Sequence, residues 1–71
     1  MTKHDFELKA KKAGLTQKQV NIAWCVLCDM TNKKIAEKYD VAEITVKKWV
    51  SAVFEKLDVG TRVGLVTKLM E

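Results

Sequence analysis

The sequence predicts an all-α fold, four helices preceded by a short extra N-terminal helix or arm. Three observations carry that expectation. Apolar residues recur three and four positions apart in successive stretches, which is the period of a helix and places them on one face. Glycine, aspartate and threonine interrupt these stretches, as helix stops followed by N-caps do. Finally, 48% of the 71 residues are hydrophobic and spread along the whole length, so the chain favours a packed core over disorder. Its length gives room for one domain, near the lower limit at which a single core suffices.

From Thr2 to Ala13 the chain is polar and lysine-rich, with Phe6 and Ala10 at helical spacing. A short helix or a partly ordered arm fits this, ending at Gly14, whose freedom at positive φ suits a stop. Two roles are open for residues 1–14: a solvated leader whose Phe6 packs back on the core, or an arm that touches DNA. Residues 15–71 form the main domain. In Leu15-Thr16-Gln17-Lys18-Gln19, Thr16 and Gln19 have the spacing of a capping box, so a helix is expected from about Gln17 to Asp29. Val20, Ala23, Trp24 and Leu27 make its apolar stripe and Ile22, Cys25 and Val26 widen it, which marks it as the most buried helix.

Thr31 is a suitable N-cap for a second helix, Asn32 to Tyr39, with Ile35, Ala36 and Tyr39 inward. Lys33 and Lys34 open it, where the helix dipole favours acids; they are either solvated or serve an anionic partner. Asp40-Val41-Ala42 is a turn of helix-turn-helix length, with Val41 able to plug the gap, and the motif spans about residues 32–51. A last helix, Arg62 to Met70, follows Asp58-Val59-Gly60 and a capping Thr61. Leu65 and Leu69 are spaced for the core. Val63, Val66 and Met70 form a second apolar stripe, either a homodimer interface or scattered surface residues.

The third helix, Glu43 to Leu57, organises the rest. On a wheel of about 100° per residue, Val46, Trp49, Val50, Val53, Phe54 and Leu57 share a broad apolar sector. Ile44, Lys47, Lys48, Ser51 and Glu55 fill the remaining arc. Two lysines and a hydroxyl lie near the helix start, where the first-turn N–H groups also point. Such an arc suits a polyanion, and the helix is expected to be a DNA-recognition helix.

Charge agrees without deciding. A net charge of +4 and a pI near 9.2 fit nucleic acid but are shared by many small solvated domains, so position matters more than sum. The Cys25-x-x-Cys28 pair lacks the further ligands of a zinc site and falls late in a helical segment; two reduced, packed thiols are expected, with no metal and no cofactor. The lone histidine, His4, lies in the leader, and no nucleophile beside a base, glycine-rich phosphate loop or paired-carboxylate pocket suggests an enzyme. No apolar run approaches the roughly 18 residues needed to cross a bilayer, and no secretory segment opens the chain, so the expected location is cytoplasmic, on the nucleoid.

In order and spacing, Leu15-Thr16, Asn32-Lys33, Ile35-Ala36, Thr45-Val46-Lys47, Ser51, Lys56-Leu57, Val59 and Arg62 resemble the LuxR-type (GerE-like) helix-turn-helix family of bacterial transcription regulators. The likeness runs without gaps from Leu15 to about Val66. It implies that the middle two of four helices form the helix-turn-helix and that the last dimerises. Carried over by position, it implies that Lys47, Lys48 and Ser51 meet base edges and that Lys33, Thr45 and Lys56 lie near phosphates. Ile44 shares the arc of the base-facing residues, where it either meets a thymine methyl or stays in solvent. Departures from the family pattern include Ala42 where a capping serine is common, Trp49 where histidine is common, and Asp29 and Asp58 at glycine positions.

With no room for a sensing domain in this chain, the resemblance implies the stand-alone form. Its expected partners are double-stranded DNA, a second copy of itself, and another transcription regulator or RNA polymerase. The competing function is a protein-interaction module that binds and antagonises another transcription regulator. The lysines at 47 and 48 favour DNA, because a pure antagonist has no use for a basic arc.

Overall fold

The structure, a computed structural model, describes residues 2–70, with side chains of residues 2–69. Within them the chain forms five helices and no strand: α1 (Lys3–Lys12), α2 (Gln17–Leu27), α3 (Asn32–Tyr39), α4 (Glu43–Leu57) and α5 (Arg62–Met70). Helix α2 is the hub, packing on α1, α4 and α5, while α3 packs on α4.

Threonine starts nearly every helix. The hydroxyl of Thr2 accepts from the Asp5 N–H at 3.1 Å, Thr31 from the Lys34 N–H at 3.1 Å and Thr61 from the Gly64 N–H at 3.0 Å. Thr16 forms the expected capping box, accepting from the Gln19 N–H at 3.2 Å while Gln19 Oε1 accepts from the Thr16 N–H at 3.0 Å. Each such cap satisfies a donor that the helix itself cannot, at about 1 kcal/mol. Helix α4 is the exception: Ala42 offers no side-chain cap.

The helix ends follow one rule. Gly14, Asp29, Asp40 and Asp58 stand in the left-handed region, at φ of 97°, 62°, 54° and 56°. In each case the next residue's N–H reaches back across the last turn: Leu15 to the Ala10 carbonyl at 3.1 Å, Met30 to Cys25 at 3.1 Å, Val41 to Ala36 at 3.0 Å and Val59 to Phe54 at 2.9 Å. These are Schellman stops, and the donor residue is apolar every time, so the same bond that ends the helix turns a hydrophobic side chain inward. Val41 and Val59 accordingly pack on the core, and Leu15 is buried. Aspartate tolerates the left-handed conformation better than most residues, which lets it stand at two of the family's glycine positions.

The stop at Asp29 ends α2 at Leu27, two residues short of the sequence expectation. Cys28 is thereby left as the C-cap and is exposed, whereas Cys25 is buried; both are free. The packed role expected for both thiols therefore holds for Cys25 alone.

The N-terminal element is a helix that completes the core. Phe6 and Ala10 are fully buried, and the Phe6 ring lies 5.2 Å from that of Trp24, tilted by 57°. An aromatic pair of this geometry is worth about 0.5–1.5 kcal/mol beyond its buried area. Ile22, Ile35, Val46, Val53, Leu57 and Leu65 fill the centre, and no buried residue among those described is polar or charged. At the far end, Arg62 pairs with Asp29 and ties the start of α5 to the α2–α3 connection. Both side chains are solvent-accessible, so this pair contributes under about 1 kcal/mol.

Candidate nucleic-acid interface

Helix α4 is divided lengthwise. Val46, Val53 and Leu57 are buried against α2, α3 and α5, while Ile44, Lys47, Lys48 and Ser51 form an exposed row on the opposite side. Their offsets of three, four and seven residues put them on one face over two turns. Ile44 is 60% exposed, an unusual place for a β-branched apolar side chain, and it joins no core contact. Thr45 is half-buried at the edge of this row.

The remaining basic positions flank it. Lys33 stands exposed in the first turn of α3 and lines a shallow depression around the α3–α4 turn with Glu37, Asp40 and Glu43. Lys56 lies eight residues beyond Lys48, about 12 Å along the helix axis. Its stem crosses Gly14, passing 3.3 Å from where a Cβ on that residue would stand. Ile44, Lys47, Lys48 and Ser51 are thus brought together, whereas Lys33 and Lys56 mark two separate edges.

On α5, Leu65 and Leu69 are buried, Val63 is 74% exposed and Val66 is half-buried. The side chain of Met70 lies outside the described residues.

Two features escaped the sequence reading. Trp49, grouped there with the core, is a half-buried brace: its ring meets Tyr39 edge-on, with centroids 5.9 Å apart and planes at 89°, and Lys18 Nζ sits 3.8 Å above its face. This joins α4 to both α3 and α2 on the side next to Lys48. A tryptophan in place of histidine was visible in the sequence, but its neighbours are distant in the chain. Burial raises the Tyr39 phenol above its ordinary value, with Cys25 adding to the rise and Lys38 opposing it, so the ring carries a neutral hydroxyl at pH 7. The second feature is the acidic fringe of Glu37, Asp40 and Glu43, legible as three carboxylates in seven residues. With Lys33 among them, the turn end of the exposed row is mixed in charge.

Among the described residues no group of His, Cys, Asp or Glu is placed to hold a metal ion. No helix among them is long and apolar enough to cross a membrane.

Comparison with known proteins accords with this arrangement. The HTH-type transcriptional regulator AlkS of Alcanivorax borkumensis is 37% identical over 62 residues, covering 87% of this chain but only 7% of that regulator. No solved structure matches significantly. The family model for bacterial regulatory proteins of the luxR family matches residues 13–69, from the end of α1 to the last turn of α5, and the chain belongs to that family.

Proposed function

We propose that this chain is a sequence-specific, double-stranded DNA-binding transcription regulator that lays α4 in the major groove and acts as a homodimer through α5. The exposed row of Ile44, Lys47, Lys48 and Ser51, on a helix otherwise held by its buried face, is the observation that carries the reading. Lysine donates to guanine O6 and N7, the serine hydroxyl donates to an acceptor or accepts from a donor on a base edge, and an exposed isoleucine fits a thymine methyl, so the row has the chemistry to read base edges. Lys33, Thr45 and Lys56 take phosphates, fixing orientation without reading sequence. Val63, Val66 and Met70 supply the contact between copies. Such a regulator works on the nucleoid.

The test is a binding titration against random-sequence duplex at several salt concentrations, followed by selection of preferred sites. If two protomers neutralise about 6–8 phosphates, log K falls against log salt with a slope of roughly −5 to −7. Selected sites then carry guanine in paired half-sites about one helical turn apart. A flat salt response removes the DNA reading and favours the antagonist of another regulator, and unpaired half-sites remove the dimer.

A further inference from the structure

Lys18 has no part in the reading above, yet the structure fixes its ammonium against the recognition helix. It is the second residue of α2 and is exposed, and its Nζ sits 3.8 Å above the ring of Trp49 in α4. That ring is itself held, because Tyr39 of α3 meets it edge-on. Lys18, Trp49 and Ala52 line one depression between α2 and α4, together with Thr16, Gln19 and Ile22. No acidic residue lines it, and among the described residues Lys18 is in no ion pair. Its charge is therefore positioned but not neutralised.

The depression borders the exposed row. Ala52 is exposed and stands between Lys48 and Trp49 around α4, about 40° from the one and 60° from the other. A helix about 10–12 Å across fills a major groove about 12 Å wide. Side chains on its crest then reach base edges, while groups standing beside its flank meet the groove wall, which is phosphodiester backbone.

We infer that Lys18 is a further phosphate contact, and that Trp49 is a positioning residue whose ring holds the Lys18 ammonium at the groove wall. The inference rests on the DNA reading given above. Tryptophan offers a cation the most favourable aromatic face, and an ammonium resting on it keeps donors free for a phosphate oxygen. A lysine stem is flexible and loses rotamer freedom when its head is immobilised; here the ring has already restricted it before DNA arrives. Such a contact raises affinity for all sequences alike and adds to the salt dependence.

Salt titrations on a selected site and on random duplex test this. Lys18→Gln is expected to make the slope of log K against log salt shallower by about one unit for each bound protomer, alike on both duplexes. Lys18→Arg keeps the charge and should retain the wild-type slope. Lys3→Gln removes the same charge at the far end of α1 from Gly14, and should change the slope by less than about a quarter as much. Trp49→Phe leaves an aromatic face and should retain the slope. In a Trp49→Leu background, by contrast, Lys18→Gln should change the slope less than about half as much as in the wild type. An unchanged slope for Lys18→Gln, an equal change from Lys3→Gln, or a loss in Lys18→Arg overturns the phosphate contact while leaving the DNA reading intact. Equal changes in the two backgrounds overturn the part given to Trp49. Failure of the wild type to bind at low salt overturns this inference and the DNA reading together.

Discussion

Helices α2 and α4 pack against each other, yet they are built on opposite plans. Helix α2 starts with a complete capping box and buries Val20, Ile22, Ala23, Cys25 and Val26, an apolar sector too wide to leave a continuous polar face. Helix α4 is longer, starts at Ala42 without a side-chain cap, and buries fewer positions, Val46, Val53 and Leu57. Its first turn gains nothing from a hydroxyl and is held instead by the Schellman turn before it, by Val41 and by the Trp49 brace. The difference teaches a division of labour. One helix spends its surface on the core, and the other is fixed from one side so that its opposite side stays free to meet a partner.

If the division is real, substitutions in α2 remove fold and binding together, whereas those on the exposed row of α4 change binding at constant stability. The largest effect belongs to Ile22→Ala. The residue is 1% exposed, and truncation there should cost about 2–5 kcal/mol through lost transfer energy and a residual cavity. Against the roughly 5 kcal/mol expected of so small a domain, denaturant unfolding should show most of the stability gone and DNA affinity lowered in parallel. A variant that bound normally while this destabilised would break the comparison.

A smaller pair of changes sharpens it at the helix starts. Thr16→Ala removes the hydroxyl half of the capping box, leaving the backbone N–H to donate to Gln19, and should lower stability by about 1 kcal/mol, roughly 4–8 °C in thermal midpoint. Ala42→Ser supplies the hydroxyl that α4 lacks and should raise stability by up to about 1 kcal/mol. Thermal unfolding of both, followed by circular dichroism, checks the signs. If Ala42→Ser left the midpoint unchanged, the start of α4 would already be satisfied by something other than a cap.

Much of this was legible in the chain. The bounds of α3, α4 and α5 follow from apolar period combined with Thr31, Thr61 and the Asp40–Ala42 turn, because caps and stops are local chemistry that sequence displays directly. The end of α2 was misplaced for an equally physical reason. Aspartate reads as a turn, a cap or a helix residue, and only the bond from Met30 to Cys25 shows Asp29 to be in the left-handed region. The exposed row was legible too, since opposite faces of one helix are fixed by its pitch. The burial of Phe6 was legible as well, but pattern could not reveal which distant segments meet: Trp24 as the partner of Phe6, Lys18 over Trp49, Lys56 across Gly14. The first of these contacts holds α1 in the core, where periodicity alone left a short helix or a partly ordered arm.

The most direct test of the central claim, that the exposed row of α4 reads bases while its flank holds phosphates, is to measure Lys48→Ala and Lys56→Ala side by side on a selected site and on random duplex. The account predicts that Lys48→Ala costs about 1–3 kcal/mol on the selected site and much less on random DNA. Lys56→Ala should weaken both nearly equally and make the salt slope shallower by about one unit. Equal losses for the two variants on both duplexes would contradict it, showing that the side chains against the bases lie elsewhere.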